Sequence, residues 1–349
     1  ISCGAILFYL SETQHNKIQH ITNIHRIAED AYVWMDRFTI RNLELYGSAN
    51  ENATTLLDVI DKTLSPMGGR LLKRWLALPL KDIDAVNKRL DVVDFFKATP
   101  DVLQNFQYQI KQISDLERLI SKLATGKISP REFIILKESL DAIIPLKDAA
   151  LQSKNDALKV IGDNLHACEL LREKIATTLN NDAPVALNKG NAIAAGINED
   201  LDDLRNISQT GKSFLEAIEQ RESQATGIPS LKVAFNNVFG YYIEVRNTHK
   251  DKVPDTWIRK QTLVNAERYI TEELKEYEAK ILGAEERISK IEAEIYEKFM
   301  LWCAQYIQPV QMNAQLVAQL DCLQSYTQLA IDHSYVRPVL EDNFVLEIT

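Results

Sequence analysis

Two long runs of apolar residues at helical spacing, separated by a segment whose period falls to two, constrain the fold of this chain more than any other feature. From Glu199 to Ser223, Leu201, Leu204, Ile207, Gly211, Phe214 and Ile218 recur every three or four residues, with charged or polar side chains between them. The spacing predicts one amphipathic helix of ~25 residues, about 40 Å at 1.5 Å per residue. From Thr271 onward, Leu274, Tyr277, Ile281, Ala284, Ile288, Ile291, Ile295, Phe299, Trp302 and Tyr306 repeat the step for ~35 residues, close to a heptad seam. This second helix is long enough to pair with the first and run beyond it. Between them, from Gly227 to Ile270, the alternation Leu231, Val233, Phe235 and then Tyr241, Ile243, Val245 predicts strands, with Gly227, Pro229, Gly240 and Pro254 as breaks. A small antiparallel sheet at the tip of a two-helix arm is the economical reading.

The remainder reads as helix. Glycine and proline are scarce, at 12 and 10 of 349 residues, and the prevailing residues are helix formers. Ala5, Ile6, Tyr9 and Leu10 sit at helical spacing within residues 1–14, ahead of a polar linker. Ser65 followed by Pro66 marks a helix start, and that helix, through Leu71, Leu72, Trp75 and Leu76, ends near Pro79. A second helix starts near Asp82 and stops before Pro100; Ser129, Pro130 and Glu132 begin a third with a capping-box pattern. Several packed helices are expected from residue 35 to about 180, then a small hairpin around Asn188, Lys189 and Gly190. At this length two or more units, or one very elongated one, are expected. A chain that begins at Ile1 and stops in the alternation Phe344 to Ile348 is expected to be part of something longer.

The formal net charge of −9 argues against a surface that coats nucleic acid throughout, so any such contact is local. The segment 231–268 reverses the sign: Lys232, Arg246, Lys250, Lys252, Arg259, Lys260 and Arg268 stand against Glu244, Asp251, Asp255 and Glu267, seven against four, for +3. Cations on a rigid sheet displace counterions from a phosphate backbone, which grips a duplex without reading its sequence. Asn247, Thr262 and Asn265 are neutral candidates for phosphate oxygens, and of the adjacent Tyr241 and Tyr242 one ring is expected inside and one outside. A modest positive excess on a small sheet is equally what a solvated surface presents.

Other chemistries find no residues. There is no GxxxxGK[ST] loop, HExxH pair or GxSxG elbow, and Gly68 and Gly69 read as turn and packing residues. Cys3, Cys168, Cys303 and Cys322 are far apart, and the spacing of His15, His20 and His25 fits solvated linker residues better than a metal site. Glu272 with Glu273 and Glu285 with Glu286 are helix-surface charges. No catalytic set is expected, no bilayer-spanning run occurs, and a reducing cytoplasm fits best.

LKVAFNNVFGYYIEV (231–245) and RKQTLVNAERYITEELKEYE (259–278) resemble the paired signatures around the clamp of bacterial MutS-type mismatch-repair proteins. SPMGGRLLKRWLALPL (65–80) resembles their early lever helix, INEDLDDLR (197–205) the helix that climbs to the clamp, and ETQ (12–14) the end of their connector domain. The resemblance implies a mainly α fold: an elongated helical lever bundle with a long antiparallel two-helix arm carrying a small antiparallel β clamp at its tip. It implies a division into the connector end and linker (1–34), first lever part (35–226), clamp (227–270), returning lever helix (271–335) and the start of an ATPase domain (336–349). It implies a homodimer closing on double-stranded DNA, a downstream factor of the MutL type, a nucleoid-associated cytoplasmic location, and ATP and Mg used by the full-length protein rather than by this chain. By position it makes Arg259, Lys260 and Asn265 part of the motif that faces phosphate; Thr262 remains a neutral candidate beside them, and Arg246 and Lys250 follow from charge and location. Val264 departs from a lysine found in some relatives, and Glu272 from a proline; Phe214-Leu215-Glu216 spells a mismatch-reading motif by chance, on an apolar stripe. The competing reading is a structural coiled-coil arm with a dimerising tip and no DNA binding; an all-helical enzyme has the least support.

Overall fold

The structure, a computed structural model, describes residues 2–13, 29–48, 53–187, 190–236, 240–343 and 345–348. His15, His20, His25, Asn188, Lys189 and Phe344, and Gln14 of the ETQ match, lie outside them. The chain forms two compact units, one of Ile1–Val185 with Phe299–Thr349, the other of Ala186–Lys298.

In the first unit the helices are α1 (Ser2–Glu12), α2 (Arg37–Asn42), α3 (Leu56–Ile60), α4 (Pro66–Ala77), α5 (Ile83–Ala98), α6 (Pro100–Gln112), α7 (Leu116–Ala124), α8 (Pro130–Gln152), α9 (Asp156–Asn164) and α10 (Glu169–Thr178). The second unit holds α11 (Glu199–Thr226), β1 (Lys232–Asn236), β2 (Gly240–Arg246), β3 (Ile258–Thr262) and β4 (Ala266–Ile270), and α12 (Glu272–Cys303) runs from it into the first; α13 (Ile307–Asp332) completes the first unit. The boundaries follow the chemistry of helix ends. Ser65 accepts from Gly68 N–H, Asp82 from Ala85 N–H, and Ser129 forms the full capping box with Glu132. Each such cap is worth ~1 kcal/mol.

Helix α13 is the axis of the first unit, buried on almost every side and packed on α4, α5, α6 and α7. Its polar residues finish the ends of its neighbours. Asp321 accepts from Ser65 Oγ at 2.6 Å and from Leu64 N–H, Ser65 N–H and Gln324 Nε2 at 2.8 Å. Burial pushes the Asp321 carboxyl above its ordinary value against the pull of those donors. A Cβ on Gly68 would lie 2.1 Å from Asp321 Oδ2, so the close approach of α4 to α13 requires glycine there. Asn313 bonds both the N–H and the C=O of His166 at 2.8 Å.

The second unit is the arm and its tip. Helices α11 and α12 run antiparallel, joined by Arg205–Glu292 at 2.6 Å, Lys212–Glu285 at 2.7 Å and Arg221–Glu273 at 2.6 Å. Phe214 stacks on Tyr277 with centroids 3.8 Å apart, and Gly211 admits Ile281 so closely that a Cβ would meet its Cγ1 at 2.6 Å. The buried stripe of α11 is Leu201, Leu204, Ser208, Gly211, Leu215 and Ile218. Ile207, expected on it, is half exposed at 50%. After Leu204 the seam takes the four-residue step to Ser208 rather than Ile207, while Phe214, beside the buried Leu215, packs against the cluster from its edge.

A further expectation changes. Where one apolar run led through Tyr306, α12 ends at Cys303, a short 3-10 turn covers Ala304–Tyr306, and α13 begins at Ile307. Pro309 falls in the first turn of α13, the one place where its missing N–H costs nothing. The turn of the hairpin expected around Asn188, Lys189 and Gly190 lies largely outside the described residues; beyond it Ile193 is buried, its carbonyl held by Arg205 Nη2 at 2.8 Å.

Candidate nucleic-acid interface

The tip is one four-stranded antiparallel sheet in the order β1-β2-β4-β3. Ile243, Val245 and Tyr269 turn one face toward Leu215 and Ile218 of α11 and Leu274 and Ile281 of α12, with Ile228, Leu231 and Trp257 closing the cluster. This core holds a small sheet that could not be stable alone. Thr271 caps the return into α12, its Oγ1 accepting from Leu274 N–H at 3.1 Å, and the adjoining Glu272 suits the positive end of the helix.

The sequence-predicted contacts are all on the surface. Arg246 ends β2 opposite Ala266, and Lys250 lies on the 3-10 turn Asn247–Lys252. Thr262 ends β3 opposite Glu267, and Asn265 sits in the turn that joins β3 to β4. These register positions bring Arg246, Thr262 and Asn265 to one end of the sheet; Arg259 lies farther back, opposite Tyr269. Lys260 is the extra residue where the register shifts between Arg259 and Gln261. A bulge of this kind re-aims its side chain and blunts an edge strand against pairing with another chain.

Ion pairing separates the cations by role. Arg268 is structural: it reaches Glu244 at 3.0 Å and Gln261 at 2.9 Å and lies over the Tyr242 ring at 4.3 Å. Lys252 Nζ donates to Gly227 O at 3.3 Å, at the C-terminus of α11 where a cation suits the helix dipole. Arg259 is 61% exposed and only loosely tied to Glu267, at 3.4 Å. Glu267 also accepts from the Tyr269 hydroxyl, whose pKa burial and that carboxylate push up to about 12. Arg246, Lys250 and Lys260 make no ion pair among the described residues and are exposed. A phosphate would therefore meet them without having to break a protein contact.

Two neutral candidates are reassigned. Asn247 donates from Nδ2 to Val264 O at 2.9 Å and from its backbone to Asn265 O at 3.1 Å, so it braces the turn rather than waiting for a ligand. Of the two tyrosines, Tyr242 is buried under Arg268, whereas Tyr241 is half-buried and packs against the arm core beside Phe235. Sequence reasoning also missed Glu219 and Glu278, which leave the two arm helices to accept from Val233 N–H at 2.8 Å and Tyr241 N–H at 3.1 Å. Their only sequence signal was an acid near the tip on each helix, indistinguishable from a solvated charge.

Among the described residues no group of three His, Cys, Asp or Glu is placed to hold a metal ion, and no helix is long and apolar enough to cross a membrane. All four cysteines are free. What the fold and site define is an arm-and-tip module: an antiparallel helix pair presenting a β sheet with unpaired cations on its surface. The chain belongs to the MutS family, whose profile described as MutS domain III matches residues 38–327. It is 73% identical to the DNA mismatch repair protein MutS of Flavobacterium johnsoniae and 56% identical to that of Parabacteroides distasonis, in each case over 348 residues. Those alignments cover 100% of this chain and 40% of each relative, so the chain spans about 40% of the length of the curated relatives it matches.

Proposed function

We propose that this chain is the lever and clamp region of a DNA mismatch-repair protein and that its β tip holds duplex DNA by the phosphate backbone, without preference for sequence. The observation that carries the reading is the set Arg246, Lys250, Arg259 and Lys260, exposed on the β tip inside a chain of net charge −9. Such groups release counterions from a polyanion, while the bulge at Lys260 disfavours the alternative of strand-to-strand dimerisation. Thr262 and Asn265 supply neutral hydrogen bonds beside them. The relatives are named for DNA mismatch repair, which agrees with this chemistry.

In the same proposal the stiff α11–α12 pair relays nucleotide state from an ATPase, using ATP and Mg held outside this chain, to the tip. A second copy supplies the opposing tip, a factor of the MutL type acts downstream, and the protein works on the nucleoid. The deciding experiment is the double variant Arg259→Ala with Lys260→Ala. Duplex affinity at low salt falls while the circular-dichroism helix signal is unchanged; an unchanged affinity moves the contact elsewhere, and tip-driven dimers with no DNA affinity favour the coiled-coil alternative.

A further inference from the structure

The hydrophobic cluster beneath the tip sheet holds it to the arm by burial, which is itself non-directional. Two carboxylates add directional contacts. Strand β1 is an edge strand, and its Val233 N–H donates to Glu219 Oε2 from α11 at 2.8 Å. Tyr241 N–H, at the start of β2, donates to Glu278 Oε2 from α12 at 3.1 Å. One side chain from each helix thus grips one strand each. Gly240 makes room for the second grip: its φ is +74°, and a Cβ there would lie 2.0 Å from Glu278 Oε1.

Neither Glu219 nor Glu278 forms an ion pair among the described residues, so their negative charge is not neutralised by a neighbouring side chain. In a unit that has to attract phosphate, two uncompensated carboxylates are electrostatically adverse. Their hydrogen bonds to the strand backbone are what they contribute.

We propose that Glu219 and Glu278 are positioning residues that fix the orientation of the β tip on its helix pair, so that the exposed cations of the tip are presented to a duplex in a fixed arrangement. The proposal rests on the phosphate-holding reading above, and it makes a prediction opposite in sign to simple electrostatics. Removing a negative charge near a DNA surface strengthens binding; removing a positioning acceptor weakens it.

The test uses the complete protein and a labelled, fully paired duplex at low salt, followed by fluorescence anisotropy. Glu278→Gln keeps the acceptor and the length and binds at least as tightly as the wild type. Glu278→Asp keeps the charge but shortens the reach, and Glu278→Ala removes both; each weakens binding about tenfold, the factor equivalent to one hydrogen bond to a charged group. Glu219→Gln and Glu219→Ala repeat the contrast on the other helix and serve if a Glu278 variant fails to fold. Wild-type or tighter binding by the folded Asp and Ala variants, with Arg259→Ala/Lys260→Ala weakened in parallel, overturns the positioning role alone. No loss in the Arg259/Lys260 variant overturns the phosphate reading and this proposal with it.

Discussion

Asp321 carries no ligand chemistry, yet it ties α13 to the start of α4. Fully buried, it accepts four hydrogen bonds, three of them from the chain that leads into α4. Asp321→Ala leaves those donors without partners and costs about 3 kcal/mol or more, measurable by urea denaturation. Its pH dependence has a definite sign. Burial raises the folded-state pKa, so the folded protein binds this proton more tightly than the unfolded chain does. The stability of the wild type relative to Asp321→Asn is therefore greatest below the ordinary carboxylate pKa and declines as pH rises through the raised value. Denaturation series on both proteins from pH 4 upward check it, and a difference that grows with pH contradicts it.

At the scale of elements, the arm is stiff because its two helices approach closely and are tied at intervals. Gly211 is the tightest point, with Ile281 seated where a side chain would stand. Gly211→Val overpacks that seam and destabilises the second unit by about 1–3 kcal/mol. Amide exchange along α11 and the facing half of α12 becomes faster, whereas exchange confined to the site of substitution would show that the seam is not shared. The caps of α4, α5 and α8 were legible because a cap is a local pattern of three or four residues. The choice of Ser208 over Ile207 was not, since a small polar residue on a seam is favoured only by how near the partner helix comes. Pro309 did mark the break before α13, but the apolar periodicity continued across it and masked the signal.

For the molecule as a whole, a net charge of −9 with a cationic tip predicts binding that is local and strongly dependent on salt. If Arg246, Lys250, Arg259 and Lys260 each meet a phosphate, log affinity falls with log salt at a slope of about −3 to −4. Lys260→Ala alone reduces that slope by about 1 and weakens all sequences alike. Binding that survives high salt, or that this region gives preferentially to mismatched duplex, contradicts a backbone-only grip.

The residues by themselves determined the two periods, and with them the helical arm and the small sheet at its tip, because amphipathic spacing is written within a single element. They also placed six candidate contacts on one cationic segment, since charge is a property of composition. Only the tertiary structure decided which cations remain unpaired, that Asn247 braces a turn, that Tyr242 is buried under Arg268, and that Glu219 and Glu278 reach the strand backbone. Each of those facts depends on a partner distant in sequence. A hydrogen bond between residues 37 positions apart, such as Tyr241 N–H to Glu278, leaves no periodic trace in either segment.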